Sequence, residues 1–465
     1  MLAEKLTYNL RSKHVIRIAM LFAFLICSSM SGQLSAQFAD TFLNNNGVVG
    51  GVSIDAEGVL NTKAVRLDED IRQQLQQGLE SADSDINKAG LRMVSLKALE
   101  DAMMECKSSG KPFPSSIKYM AGLQRIEYVM VSKENDDVIL AGPAEGLKTD
   151  ANGNVVGASS GMPAIRLEDF LIAMRYVDQA RQGYGITVSI DPTEEGINKV
   201  RKLMRNYSVR SFNDNSAKAL EDACGPQNIT LTGVPKDSRF SQVLVSADYK
   251  MKRLAMGLDP APEFLPNILA MAKQNNSRFK NMSPRFWMET SYEPVSVSDD
   301  KMVWKLNGQG VCTKTQEDFA NQQQADKAKQ IKPGKLAKAW ADTMTEKYED
   351  LSKAEPIFRE LRNLMDMSVV AAIVSRERLL QKASLDLPAI KGLDTVSTPN
   401  WNVPQTVPTQ CSFARMTRSL IVTTSGGVTV DSWKVAANTK TDAALTKYSQ
   451  LASTTKANRW WWNAK

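Results

Sequence analysis

Two short stretches carry the residue types of a serine nucleophile. Gly157-Ala-Ser159-Ser-Gly161 has the GxSxG spacing that seats a serine on a sharp strand-to-helix turn, and Ser115-Ser-Ile-Lys118 puts a lysine one helical turn after a serine. The first pattern needs a histidine to take the hydroxyl proton, and the only histidine is His14. It also needs a strand before it, where Asn152-Gly-Asn154 reads as a turn. Lysine activation needs no histidine, but Pro112 and Pro114 make Ser115 the start of a short helix after a Pro-rich turn. Asp83-Ser-Asp85-Ile-Asn87 opens like a calcium loop, yet its sixth position is Lys88 in place of Gly and its twelfth is Val94 in place of Glu. Asp150-Ala-Asn-Gly-Asn154 is a turn before it is a cation site. Glu194 and Glu195 are adjacent, so on a helix they diverge; they suit a helix N-terminus better than the paired carboxylates of a glycosidase. No residue is assigned a catalytic or metal role, and no cofactor is expected.

The N-terminus narrows the chemistry further. Lys5, Arg11, Lys13 and Arg17 precede an apolar run over 18–26, which is followed by Leu34-Ser35-Ala36. A basic region, a short apolar core and a small-residue cleavage site make residues 1–36 a signal peptide and the protein an exported one. Its removal takes away His14. The mature chain then has no imidazole base, no Ser/His/Asp or Cys/His nucleophile and no His-ligated metal. Net charge falls from +7 to +4, too little to call for nucleic acid. Beyond the leader no run approaches the roughly 18 apolar residues of a membrane span. Four cysteines remain, Cys106, Cys224, Cys312 and Cys411, none of them in a CxxC pair. Export permits disulfides, and three connectivities are possible.

The elements that would position a site show an apparent repeat. Lys97-Ala-Leu-Glu-Asp-Ala102 recurs as Lys218-Ala-Leu-Glu-Asp-Ala223, with Ser95 and Ser216 two residues before each as helix caps. Val52-Ser-Ile-Asp55 and Val188-Ser-Ile-Asp191 lie ahead of the copies. Behind them lie Arg125-Ile-Glu-Tyr-Val-Met-Val-Ser132 and Arg239-Phe-Ser-Gln-Val-Leu-Val-Ser246. Three matched segments in one order predict an α+β fold with two related α/β modules in tandem, 37–160 and 161–258, packed on each other. That packing would suit a Cys106–Cys224 bridge, leaving Cys312 with Cys411. A linker and β-hairpin follow over 259–315, the hairpin pairing 302–306 with 311–313 about Asn307-Gly-Gln-Gly310. A helical segment spans 316–385. It begins with a polar stretch to about residue 330 and continues with a helix over 336–351, carrying Trp340, Met344 and Tyr348, and a buried helix over 356–383. A β-rich C-terminal region, 386–465, holds a second hairpin, 419–424 with 427–430.

Four stretches look like family signatures: Tyr119-Met-Ala-Gly-Leu-Gln-Arg-Ile-Glu-Tyr-Val129, Val138-Ile-Leu-Ala-Gly-Pro-Ala-Glu-Gly146, Gly233-Val-Pro-Lys-Asp-Ser-Arg239 and Ala247-Asp-Tyr-Lys-Met-Lys-Arg-Leu-Ala-Met-Gly257. In them the chain resembles a family of secreted proteins of unknown function from planctomycete-type bacteria, over residues 48–385. The resemblance implies a bacterial exported protein held in the cell envelope. It brings no activity, cofactor or catalytic residue.

The expected function is an exported, non-enzymatic structural or binding component of the bacterial cell envelope, periplasmic or extracellular, with an envelope protein or polysaccharide as partner. Two other classes remain: a histidine-independent carboxylate enzyme acting on envelope glycan, and a two-lobed solute-binding protein. The chain ends in Arg459-Trp-Trp-Trp-Asn-Ala-Lys465. If this tail is extended, Trp460 and Trp462 share a side and are expected to fill a groove, with Arg459 or Lys465 stacked at the rim. Arg459, Trp460 and Trp462 are thus the candidate interaction tail.

Overall fold

A computed structural model describes residues 49–464 apart from 51, 55–59, 62–68, 81–87, 152, 184, 207–211, 275–283, 316–334, 415–419 and 454–458. The leader, the Asp83-Ser-Asp85-Ile-Asn87 loop and the polar stretch from residue 316 lie outside the described residues.

Strands from nearly the whole chain enter one mixed sheet. The first are β1 (Ala89–Ser95), β2 (Tyr128–Ser132) and β3 (Asp137–Ala144). The middle of the chain supplies β4 (Ile186–Pro192), β5 (Gln227–Thr232), β6 (Arg285–Val297) and β7 (Val303–Thr315). The C-terminal part supplies β8 (Thr406–Val407), β9 (Ser425–Val430), β10 (Thr439–Thr441) and β11 (Trp461–Asn463). The order is β8-β5-β4-β9-β6-β7-β2-β3-β1-β11, with β10 also paired to β6.

Helices α1 (Leu96–Ser108), α2 (Leu167–Arg181), α3 (Glu194–Asn206), α4 (Asp214–Cys224) and α5 (Arg239–Met256) alternate with the earlier strands. Helices α6 (Lys335–Glu346), α7 (Tyr348–Ala354) and α8 (Pro356–Arg376) follow β7, and α9 (Ser432–Ala437) and α10 (Thr446–Ser453) separate the last strands. The class is α+β. Among the described residues no helix is long and apolar enough to cross a membrane.

α8 is the central helix. Pro356 sits in its first turn, where the missing N–H costs nothing, and every residue from Ile357 to Val374 is buried. It packs on α2, α5, α9 and β7. Trp340, Met344 and Tyr348 are fully buried at the expected spacing of four, although the single helix expected over 336–351 breaks at Lys347 into α6 and α7.

The apparent repeat is not a duplicated structural unit. Both KALEDA copies are helical, in α1 and α4, but the segments around them differ. Arg125–Ser132 leads into strand β2, whereas Arg239–Ser246 is the first half of helix α5. Ser53–Ile54 belongs to a separate two-stranded sheet, whereas Val188 to Asp191 lie in β4. The caps differ as well: Ser95 accepts from Ala98 N as expected, but α4 is capped by Asn213, to which Ser216 donates. Strands from 37–160, 161–258, 259–315 and 386–465 share the one sheet.

Both expected hairpins also form differently. Residues 303–306 and 311–313 lie in the same strand, β7, which pairs with β6 and β2. Residues 427–430 pair with β4 and β6, while Leu420–Val422 pairs with Ser412–Ala414.

The strand order separates the proposed disulfide partners. Cys106 lies near the end of α1, which follows β1, and Cys224 ends α4, which precedes β5; β1 and β5 are seven places apart in the sheet order. Cys312 lies in β7. Cys411 packs on α4, its Sγ 3.7 Å from Ala217 O and its N–H donating to Glu221. All four are free thiols, with Cys106 half-buried and the others buried. Burial lifts the Cys312 thiol to about 11 and the Cys411 thiol to about 12. Treating native residues 37–465 with a disulfide reagent at pH 8 should therefore label Cys106 alone. The other three should react only after denaturation, and a bridged peptide in an unreduced digest would contradict this.

The tryptophan tail is an edge strand. β11 pairs antiparallel with β1 at Trp461↔Val94, Trp462↔Met93 and Asn463↔Arg92. The buried pair is Trp461 and Trp462, on opposite faces of the sheet, and Trp460 is only half-buried. Arg459 stacks on Trp461. The expectation that Trp460 and Trp462 fill one groove fails: Trp461 enters the main core with Trp460 half-buried against it, and Trp462 enters the smaller core.

Candidate functional site: a gap in the sheet beside β6

The β6–β7 hairpin contains a break in its own pattern. Phe286, Met288 and Val311 are buried in the main core, and so are Val295, Leu306 and Trp304. Met288 and Val295 are seven residues apart and Leu306 and Val311 five, both odd, so each strand must change sides once between them. It does so through bulges: the register shifts between Ser291 and Glu293 and again between Glu293 and Ser296. On β7 Gly308 and Gly310 take φ of +91° and +92°, a conformation open to glycine and unfavourable for most other residues.

The outer edge of β6 is interrupted at the same level. β9 runs parallel to it from Arg285↔Ser425 to Glu289↔Thr429. The chain then leaves the sheet. Asp431 caps α9 by accepting from Lys434 N, and the chain returns as β10, which pairs from Val295↔Thr439. The segment 290–294 thus has no strand on that edge, and it ends in Pro294, which has no N–H to satisfy.

A cavity of about 640 Å³ opens there, lined by Glu289, Thr290, Ser291, Tyr292 and Glu293, by Cys312 and Lys314 of β7, and by Thr429, Asp431, Lys434 and Asn438. Strand side chains alternate between faces, so five consecutive residues can line one cavity only if the strand presents its edge to it.

The lining is charged and internally paired. Lys314 contacts the Glu289 carboxylate, and Cys312 Sγ lies 3.8 Å from Glu289 Oε1. The Cys312 thiol is raised to about 11 by burial and then by the charge of Glu289, so it is not a thiolate at neutral pH. Tyr292 donates to Asp366 Oδ1 at 2.6 Å. Burial, followed by the Asp366 charge, holds its phenol well above the usual range, so it remains a neutral donor.

Asp366, in the middle of α8, also receives Arg125 through Nε at 2.8 Å and Nη2 at 3.2 Å, and the same guanidinium donates to Gly308 O at 3.0 Å. This pair, with a buried carboxylate and a half-buried arginine, therefore ties the β7 bulge, Tyr292 and the central helix together. Among the described residues, no group of three or more His, Cys, Asp or Glu side chains is placed to hold a metal.

Two further buried ionic groups lie on α5, one facing α2 and α8 and the other facing β4 and β9. Arg239 contacts Asp169 and donates to Glu360 Oε2 at 2.6 Å, and Lys252 reaches Asp248 Oδ2 at 2.7 Å and Ile190 O at 3.0 Å. Neither Arg239 nor Lys252 lines the cavity beside β6.

The residues singled out in the sequence lie elsewhere. Ser159 and Ser160 form a turn whose N–H groups donate to the buried carboxylate of Glu145 at 2.9 and 3.2 Å, and the Ser160 hydroxyl bonds the same group. Ser115–Lys118 is a four-residue helix behind Pro114. Asp150 accepts from Asn154 N in the turn between strands Leu147–Thr149 and Val155–Gly157. Glu194 and Glu195 are exposed in the first turn of α3. None of these groups approaches another. Glu289, Tyr292, Lys314, Arg125 and Asp366 were missed; the available signals were the odd apolar spacing and the paired glycines of β7.

The Glu145 clamp gives a pH prediction. Burial raises the carboxyl pKa, but the hydrogen bonds from Ser160 and Ser159 outweigh it and leave the pKa lowered. Its contribution to stability is therefore present above the unfolded value of 4.5 and lost as pH falls through the lower folded value. Glu145→Gln should cost about 1.5–3 kcal/mol at pH 7 by urea unfolding, and that cost should shrink as the pH is lowered toward 4. A cost independent of pH would contradict the clamp.

A family profile described as "Protein of unknown function (DUF1598)" matches residues 188–268, from within β4 through α5. No curated protein and no solved structure matches this chain.

Proposed function

We propose that the protein is an exported, non-enzymatic binding component of the bacterial cell envelope, and that its ligand enters the cavity beside β6. The observation that carries this reading is the cavity itself: about 640 Å³ beside the β6 edge, with carboxylates and ammonium groups among its lining side chains. The thiol and phenol on its wall stay protonated, and Glu289 is engaged by Lys314. These groups are suited to holding a polar ligand rather than attacking one. The basic and apolar leader over residues 1–36 supports export, and the resemblance to secreted bacterial proteins supports an envelope setting.

The test is retention of peptidoglycan, polysaccharide or envelope protein extract by immobilised residues 37–465. A Glu289→Gln/Lys314→Met variant, which removes both charges while nearly keeping their shapes, serves as control. Retention of one fraction by the wild type, weakened about tenfold or more in the variant, supports the reading. If nothing is retained and a glycan panel is hydrolysed instead, the reading is wrong. That outcome belongs to a second reading, a carboxylate enzyme, which the placement of Glu289, Glu293 and Asp431 on one cavity favours.

A further inference from the structure

We infer that the occupant of the cavity is an extended peptide, which adds to β6 as the strand missing between β9 and β10. The inference rests on the reading of the cavity as a binding site and specifies what that site takes.

β9 and β10 both pair with the same edge of β6, in the same parallel sense, one ending at Glu289 and the other starting at Val295. Each lies one strand spacing from β6, about 4.8 Å, so a segment entering between their ends runs in line with both. The interval covers Thr290 to Pro294, about 17 Å of strand, enough for an extended segment of about five residues. The chain that would have filled it is diverted into α9, whose Lys434 and Val435 form the far wall.

A strand edge offers N–H and C=O groups at alternate residues, and these are obligatory hydrogen-bonding groups. An extended peptide matches them through its own main chain, whereas a sugar has no repeating donor and acceptor at that period. Glu289, Lys314, Asp431 and Lys434 all line the cavity and present both signs of charge to the side chains of the bound segment, which favours polar sequences over apolar ones.

The probe is an immobilised library of random hexapeptides screened with residues 37–465. The best binder is then resynthesised with single backbone N-methyl groups and titrated calorimetrically. Methylation of the residues whose N–H groups face β6 should weaken binding about tenfold or more, and methylation of the others should leave it unchanged. Loss at every position, or at none, overturns strand addition. A Ser291→Trp variant, with the new ring placed in the cavity, should keep the wild-type melting temperature and lose the peptide; retained affinity in that folded variant also overturns it. If no hexapeptide binds while an envelope fraction is still retained through Glu289 and Lys314, strand addition fails and the binding reading stands. If nothing is retained at all, both fail.

Discussion

Replacing Trp461 with alanine should lower stability by about 3–5 kcal/mol, read as a shift in the urea midpoint at unchanged slope. Trp461 is 3% exposed in the main core, between Arg459 at 4.8 Å and Arg92 at 4.7 Å. Arg92 is itself fully buried and donates to Asn463 Oδ1 at 2.9 Å, so loss of the strand strips a buried cation of neighbours as well as opening a cavity. Trp462→Ala should cost a similar amount, because that ring covers the second, smaller core with Met93, Met130 and Ile139. Trp460→Ala should cost clearly less. Deletion of 459–465 should cost more than either buried tryptophan alone. A ranking with Trp460 first, or a stable truncated protein, would contradict the strand assignment.

The second large effect is expected at Asp366. Asp366→Asn keeps the shape but leaves the half-buried Arg125 without its counter-charge, and losing charge-assisted hydrogen bonds of this kind should cost about 1.5–3 kcal/mol. Because the same guanidinium holds Gly308 O and the same carboxylate holds Tyr292, the amides of 307–310 should exchange faster with deuterium in the variant than in the wild type. Arg125→Met combined with Asp366→Leu should be far less destabilised than the sum of the single changes, since it removes both charges together. Additive costs would show that the two groups are not coupled.

Local patterns in the sequence predicted local structure well. Trp340, Met344 and Tyr348 at spacing four, the buried stripe of α8 and the Ser95 cap all follow from periodicity and capping. Segment type failed where the texts are alike but the partners differ. Arg125–Ser132 and Arg239–Ser246 read almost the same. Ser238 accepts from Ser241 N and starts a helix in the second, while β3 and β7 flank β2 and make the first a strand. Strand order was not legible because β9, from near the end of the chain, inserts between β4 and β6.

The site was hidden for the same reason. Tyr292 and Asp366 are 74 residues apart, and Arg125 and Asp366 are 241 apart. Neither motif spacing nor composition links them. What the sequence did carry was the odd interval between apolar residues in both strands, which requires a bulge, and glycines where the bulge needs positive φ.

The proposed ligand site is the gap beside β6. Hydrogen–deuterium exchange of residues 37–465, with and without the retained envelope fraction, tests it most directly. The amides of 289–294 and 431–438 should become protected on binding, while those of β1 and β11 stay unchanged. Protection confined to other regions, with 289–294 unaltered under saturating ligand, would contradict it.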